Sequence, residues 1–163
     1  MSYSASKFSV AILGGIGAGK KILAQKLSRQ LTPYQKQKID IGSVGKPSNF
    51  KIFIDRPFDQ LLEKYVLSLS LQDLIDKQML QRKMEEFRSY HRENVFPAKF
   101  TADFWIQDLE DEERIHHLTL EILKKWRASL SSEDEESPEV QVYLDRRIQK
   151  AHPGKTPGNL YIL

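Results

Sequence analysis

The chain has 163 residues, 40% of them hydrophobic and 10% aromatic, which suffices for one ordinary hydrophobic core and argues against two full-sized domains. A net charge of only +3, from 25 Lys and Arg against 22 Asp and Glu without a dominant basic block, argues against nucleic acid as a partner. The absence of cysteine excludes disulfides and thiolate zinc sites, and no apolar run reaches membrane-spanning length, so we expect an intracellular protein, cytoplasmic by default, with an organellar or cytoskeletal assembly left open.

The N-terminal segment predicts a strand, a loop and a helix in direct succession. The run "KFSVAIL" (7–13) is short, apolar and followed by glycine, as is typical of a buried parallel strand. Beyond the glycines, Leu23, Leu27 and Leu31 recur every four residues and form one apolar stripe on a helix. We expect this helix to end near residue 32, where Thr-Pro follows.

Three further β-leaning runs follow, at "KIDIGSV" (38–44), "FKIFID" (50–55) and "YVLSLSL" (65–71). A short helix, about Phe58 to Lys64, separates the last two. Repeated βα units are the pattern of a parallel sheet covered by helices. The sequence therefore predicts a three-layer α/β fold, with a parallel sheet of four or five strands flanked by helices and the first strand in the centre.

The second half of the chain is predicted to be largely helical. Apolar residues at helical spacing indicate one long amphipathic helix from about 72 to 92, then a short strand within "ADFWIQDL" (102–109) and another helix to Leu130. The acidic stretch "SSEDEES" (131–137) reads as a solvated linker before a last short helix and the apolar tail "NLYIL". We therefore divide the chain into a domain at 1–130 and a C-terminal extension at 131–163.

The loop between the first strand and helix fits the pattern G-x-x-x-x-G-K, which spans Gly14 to Lys20. In such loops the backbone amides surround phosphate oxygens, the lysine reaches the outer phosphates, and the helix N-terminus adds favourable partial charge. The alternative is a glycine-rich turn with an exposed lysine. On the first interpretation, the residues that bind a nucleotide are Gly14, Gly15, Gly17, Ala18, Gly19, Lys20 and Lys21.

The stretch "ILGGIGAGKKILAQKL" (12–27) resembles the loop of the adenylate kinases and related nucleoside monophosphate kinases, typically written G-x-P-G-x-G-K-G-T, on a P-loop NTPase fold. The order of elements from about 8 to 128 is also similar to that family, although the loop is the specific match. The deoxynucleoside kinases, whose loop reads N-I-G-A-G-K, are the second resemblance.

The resemblance implies roles for four residues. Lys20 would stabilise the transferred phosphate of ATP, Asp55 would hold the hydration shell of Mg²⁺, and Arg82 or Lys83 would neutralise charge. A solvated helix face is the other interpretation of the last two. ATP or ADP, with or without Mg²⁺, is the expected cofactor; the alternative is a relic loop that binds no cofactor.

The sequence also departs from the family. Lys21 follows the loop lysine where a hydroxyl residue is usual in phosphate-binding loops, and Ile22 stands at the family's threonine. Arg56 directly follows Asp55 and disrupts the family's motif there. The inserted helices that grip the acceptor monophosphate are not visible between the second and third predicted strands, and no lid insertion is visible between the fourth predicted strand and the long helix. Because phosphoryl transfer depends on positioning and closure, these departures favour a degenerate module.

Two functions are consistent with these patterns. The first is a degenerate adenylate-kinase-like module that binds nucleotide weakly, transfers little or no phosphate, and serves as an accessory subunit that docks on a protein partner through residues 137–163. The alternative is an active kinase that transfers the γ-phosphate of ATP to a nucleoside monophosphate or a nucleoside. We expect the first.

Overall fold

The computed structural model describes residues 7–42 and 47–130. These residues form a four-stranded parallel sheet flanked by helices, which confirms the predicted three-layer α/β architecture. The strands are β1 (Phe8–Gly14), β2 (Ile39–Ile41), β3 (Phe50–Ile54) and β4 (Phe104–Ile106). Their order across the sheet is β2-β1-β3-β4, so β1 is an interior strand, as predicted.

The register of the sheet aligns the carboxyl ends of β1, β3 and β4. Gly14 on β1 is paired with Ile54 on β3, and Ile54 in turn with Ile106 on β4. At the other end, Phe8 is paired with Ile39. In a parallel sheet the loops that leave the carboxyl ends of neighbouring strands meet at one edge, and this edge is the usual position of ligand sites in open α/β folds. The segment after Gly14 and the segment after Ile54 meet there.

Two of the helices agree closely with prediction: the helix that follows the glycine loop, and the helix predicted to run to Leu130, which ends at Ser129. The first ends before Thr32, which caps the next helix in a reciprocal arrangement with Gln35: the Thr32 hydroxyl accepts from the Gln35 N–H, and the Gln35 side chain accepts from the Thr32 N–H. The helical elements are α1 (Lys20–Gln30), α2 (Pro33–Lys38), α3 (Phe58–Leu67), α4 (Leu71–Ile75), α5 (Lys77–Tyr90), a π-helical turn (His91–Val95), α6 (Phe96–Lys99) and α7 (Glu112–Ser129).

The predicted strand at 65–71 is wrong. Residues 65–67 are the last residues of α3, and α4 begins at Leu71. Tyr65 and Val66 favour strands in isolation, but the Tyr65 ring stacks on Phe87 of α5, with centroids 4.6 Å apart and planes inclined by 23°. Tertiary packing of this aromatic ring overrides the weak local preference.

The predicted single helix at 72–92 is also wrong, because the helix is interrupted at Asp76. This residue ends α4 and caps α5, its carboxylate accepting hydrogen bonds from the backbone N–H groups of Gln78 (2.9 Å) and Met79 (3.1 Å). A short acidic side chain that bonds nearby backbone competes with a continuous helix. Beyond Tyr90 the helix continues as the π-helical turn rather than ending at 92.

The core lies between the two interior strands and the helices against them. This core includes residues that are completely buried, among them Val10, Leu23, Ile52 and Leu118. The remaining buried apolar side chains come mainly from β1, β3, α1 and α7. Among the helices of the described ranges, none combines the length and apolar character needed to cross a bilayer.

The chain divides into two compact units, Met1–Trp126 and Arg127–Leu163. Of the second unit, the structure describes residues 127–130, and α7 ends within this stretch at Ser129. The predicted linker, the last helix and the tail at 131–163 lie outside the described residues. The domain boundary at 130 and the docking role of 137–163 stay predictions.

Candidate functional site

The glycine loop, Gly14–Lys20, joins the carboxyl end of β1 to the first residue of α1. Gly17 has a φ of +78° and Gly19 a φ of +97°, backbone conformations that residues with a side chain rarely adopt. Gly19 is also the residue at which α1 begins, and the N–H of Leu23 donates to its carbonyl at 3.0 Å. All the residues predicted to bind nucleotide lie in this loop or in the first turn of α1.

The loop is packed tightly against two buried leucines. A Cβ at Gly15 would lie 2.7 Å from Leu61 Cδ1, and one at Gly19 would lie 2.6 Å from Leu109 Cδ1. Ordinary carbon–carbon contacts are about 3.5–4.0 Å, so neither position has room for a side chain. Ala18 between them is buried. The backbone of the loop is therefore held in place from α3 and from the segment after β4.

Positive groups surround the loop. The Lys20 ammonium donates to the Gly14 carbonyl at 3.2 Å, and the Lys64 ammonium from α3 approaches the Gly17 carbonyl at 3.5 Å. Lys21 is exposed. The first turn of α1 has neither a side-chain cap nor an acidic residue, so its N–H groups are not satisfied by a side chain. Chemically, this arrangement suits an anion.

Asp55 lies where the resemblance requires it, directly after β3 and beside the loop, but its carboxylate is already paired. Its Oδ2 accepts from the Lys99 ammonium at 2.8 Å, and the two side chains are 24% and 25% exposed. The same ammonium lies 4.9 Å from the centroid of the Trp105 ring, and Trp105 Nε1 donates to the Lys99 carbonyl at 3.0 Å. Lys99 is thus held at Asp55 by several contacts.

A cavity of about 210 Å³ connects these two parts of the site. Its polar and loop lining consists of Gly15, Asp55, Arg56, His91 and Lys99, and the rest is mainly apolar. A larger cleft of about 430 Å³, which includes Asp108, shares the lining residues Asp55, Arg56 and Pro57 with it. Within the described ranges, the buried Arg56 Nε has no hydrogen-bond partner, and Arg56 is among the residues that line both cavities.

His91 also lines this cavity. Its ring meets Phe58 edge to face, with centroids 4.9 Å apart, and its Cδ2 would lie 3.7 Å from a Cβ at Gly15. Burial lowers the pKa of His91 below the ordinary value, because the charged form loses hydration. The residue begins the π-helical turn, a local irregularity that often occurs at functional sites.

The structure does not bring Arg82 and Lys83 to this site. Arg82 is 74% exposed and pairs with Glu86 on its own helix, Nε to Oε1 at 3.0 Å. Lys83 is partly buried, and neither residue lines the two cavities beside Asp55. This geometry favours the solvated-face interpretation of Arg82.

Lys64, His91 and Lys99 were not identified from the sequence as site residues. Lys99 is 44 residues from Asp55 along the chain and belongs to a short helix without a motif. The placement of Lys64 at the loop depends on the packing of α3, and His91 depends on the π-helical turn. Charged residues are common near helix ends, so their presence in the sequence does not identify a site residue.

Neither a scan against models of known protein families nor a search of the curated proteins finds a match to this chain. The likeness to the adenylate kinases therefore stays a resemblance of motif and element order. In the parts of the chain that the structure describes, no group of three or more His, Cys, Asp or Glu residues is placed to hold a metal ion.

Proposed function

We propose that the glycine loop binds the phosphate groups of a nucleotide, ATP or ADP, in a degenerate adenylate-kinase-like module with weak or no phosphotransfer. The observation that carries this proposal is the geometry of the loop: a left-handed Gly19 at the start of α1, an uncapped first turn, and two lysine ammonium groups at the loop carbonyls. Backbone N–H groups and ammonium groups at a helix N-terminus are the chemistry that binds phosphate.

The side chains around the loop favour binding over catalysis. Phosphoryl transfer requires cations and donors that stabilise charge on the moving group in a closed site. Here Asp55 is neutralised by Lys99, Ile22 is 51% exposed in the first turn of α1, and Arg82 faces solvent. These observations argue against the predicted catalytic roles of Asp55 and Arg82.

The role as an accessory subunit is the second part of the proposal. It rests on the sequence of residues 131–163, where an acidic linker is followed by a helix-forming segment and an apolar tail that the predicted domain does not need. An apolar segment of this kind can pair with the edge strand of another protein's sheet. We therefore propose a protein partner for this tail.

The test is a calorimetric titration of the full chain with ATP, ADP and inorganic phosphate. Lys20→Ala should weaken ATP binding about 10- to 150-fold, since a hydrogen bond to a charged group contributes about 1.5–3 kcal/mol. Lys36→Ala is the matched control: Lys36 is exposed and precedes β2, which starts beside Phe8 at the end of the sheet away from the loop. It should leave the affinity unchanged.

Absence of ATP, ADP and phosphate binding at millimolar concentration would show that the loop is a relic. In parallel, ADP formation from ATP and AMP is measured with magnesium. Robust turnover by the purified chain that Lys20→Ala abolishes would instead establish an active kinase and overturn the proposed loss of phosphotransfer.

A further inference from the structure

The magnesium ion that the resemblance implies can be tested against the side chains that would hold it. Mg²⁺ takes octahedral oxygen ligands, usually one or two carboxylates with substrate phosphates and water. In proteins with phosphate-binding loops, Mg²⁺ is held by the hydroxyl of the residue directly after the loop lysine and by an acid at the end of a neighbouring strand. The position after Lys20 is Lys21, which offers an ammonium group and no oxygen.

The acid at the end of the neighbouring strand is Asp55, and its carboxylate is engaged by a cation from the chain itself. Lys99 Nζ lies 2.8 Å from Asp55 Oδ2 and is held there by the Trp105 ring as well. A divalent cation would have to displace this ammonium or lie beside it against charge repulsion. Asp108, in the adjoining cleft, is exposed and accepts from the N–H of Glu110 at 2.9 Å. The donor set therefore does not fit Mg²⁺.

The positive charge that a phosphate ligand needs is nevertheless present in side chains. The ammonium groups of Lys20 and Lys64 lie at the loop carbonyls, and Lys99 and Arg56 line the cavity that Gly15 shares with Asp55. These groups can offset phosphate charge as a metal does, without requiring one.

We infer that this site binds its phosphate ligand in the metal-free form, with the Lys99 ammonium in the place where Mg²⁺ would meet Asp55. The inference rests on the proposed phosphate site and specifies its ligand: a di- or triphosphate group free of magnesium. It also accounts for a site that binds nucleotide without transferring phosphate, since transfer depends on the metal to stabilise charge on the moving group.

The experiment titrates inorganic pyrophosphate and ATP into the full chain by calorimetry, first in EDTA and then with excess Mg²⁺. For the wild type, we expect binding in EDTA to be at least as tight as with Mg²⁺, because the metal withdraws the free ligand. Lys99→Met frees the Asp55 carboxylate and should reverse this order, so that Mg²⁺ tightens binding roughly 5-fold or more.

Two further variants identify the source of the change. Lys99→Arg keeps the cation and should behave as the wild type does. Asp55→Asn combined with Lys99→Met should lose the response to Mg²⁺, because the carboxylate that supplies it is gone. Circular dichroism checks that each variant is folded, and the wild-type comparison in EDTA and Mg²⁺ tests the inference even where a variant fails to fold.

Each outcome has one meaning. Wild-type binding that is roughly 5-fold or more tighter with Mg²⁺ contradicts this inference and leaves the phosphate site standing. A folded Lys99→Met variant without a response to Mg²⁺ also contradicts it, since the ion pair then does not exclude the metal. No binding of pyrophosphate or ATP in either condition contradicts the proposed phosphate site itself.

Discussion

Replacing Gly19 with alanine tests whether the glycine loop is held as the structure has it. The φ of +97° at Gly19 is left-handed, which costs a residue with a Cβ about 1–2 kcal/mol. The new Cβ would also lie 2.6 Å from Leu109 Cδ1, and Leu109 is only 1% exposed, so it has little room to move. Overpacking of this kind costs about 1–3 kcal/mol. We expect Gly19→Ala to lower the free energy of unfolding by about 2–5 kcal/mol.

A matched control separates the two contributions. Gly42 has a similar φ of +88°, but a Cβ there would lie 3.9 Å from the Ala24 Cβ, an ordinary contact. Gly42→Ala should therefore cost the backbone strain alone, about 1–2 kcal/mol. The difference between the two variants measures the clash with Leu109. Combining Gly19→Ala with Leu109→Ala should restore about 1–3 kcal/mol relative to the sum of the single variants, because the new methyl group occupies vacated space.

Urea unfolding followed by tryptophan fluorescence and circular dichroism measures these changes. With a slope of about 2 kcal/mol/M, a loss of about 2–5 kcal/mol lowers the midpoint by about 1–2.5 M. Equal midpoints for Gly19→Ala and Gly42→Ala would refute the close packing of the loop on Leu109. Midpoints at the wild-type value for both would refute the left-handed backbone.

Two pH-dependent effects follow from the described ion pairs and burial. A hydrogen bond to Glu112 is the main cause that raises the pKa of Lys26 above its ordinary 10.5. The stabilisation of the fold by the Lys26–Glu112 pair is therefore complete below pH 10.5, and it is lost as the pH rises through the folded-state pKa of Lys26. Urea midpoints give the difference in stability between the wild type and Lys26→Met. This difference should stay constant at neutral pH and shrink only in the alkaline range. A difference that does not change with pH in the alkaline range would contradict the Lys26–Glu112 hydrogen bond. For His91, burial lowers the pKa below its ordinary 6.5, so the unfolded chain binds the proton more readily, and stability falls as the pH drops below 6.5 toward the folded-state value. His91→Gln should remove this part of the acid sensitivity in the same assay, and parallel wild-type and variant curves would show that His91 is not desolvated.

The elements that the sequence predicts correctly are those whose own residues carry the signal. The apolar runs of β1 and β3 are buried on both faces of the sheet, so they read as strands without any knowledge of their neighbours. The four-residue spacing of Leu23 and Leu27 marks the buried side of α1. At Asp76 a local signal was present but was not used in the prediction, since an acidic residue inside a helical pattern can cap a new helix.

The candidate site divides in the same way. The glycine spacing from Gly14 to Lys20 is local, because a left-handed turn at the start of a helix needs glycine at defined positions, and the sequence by itself determined that this turn follows β1. The ion pair between Asp55 and Lys99 joins residues 44 positions apart, and the stacking of Tyr65 on Phe87 turned an apparent strand into helix. Only the tertiary structure decided these contacts, because the free energy of a distant pair depends on which surfaces the packed core brings together, and no local pattern of residues encodes that distance.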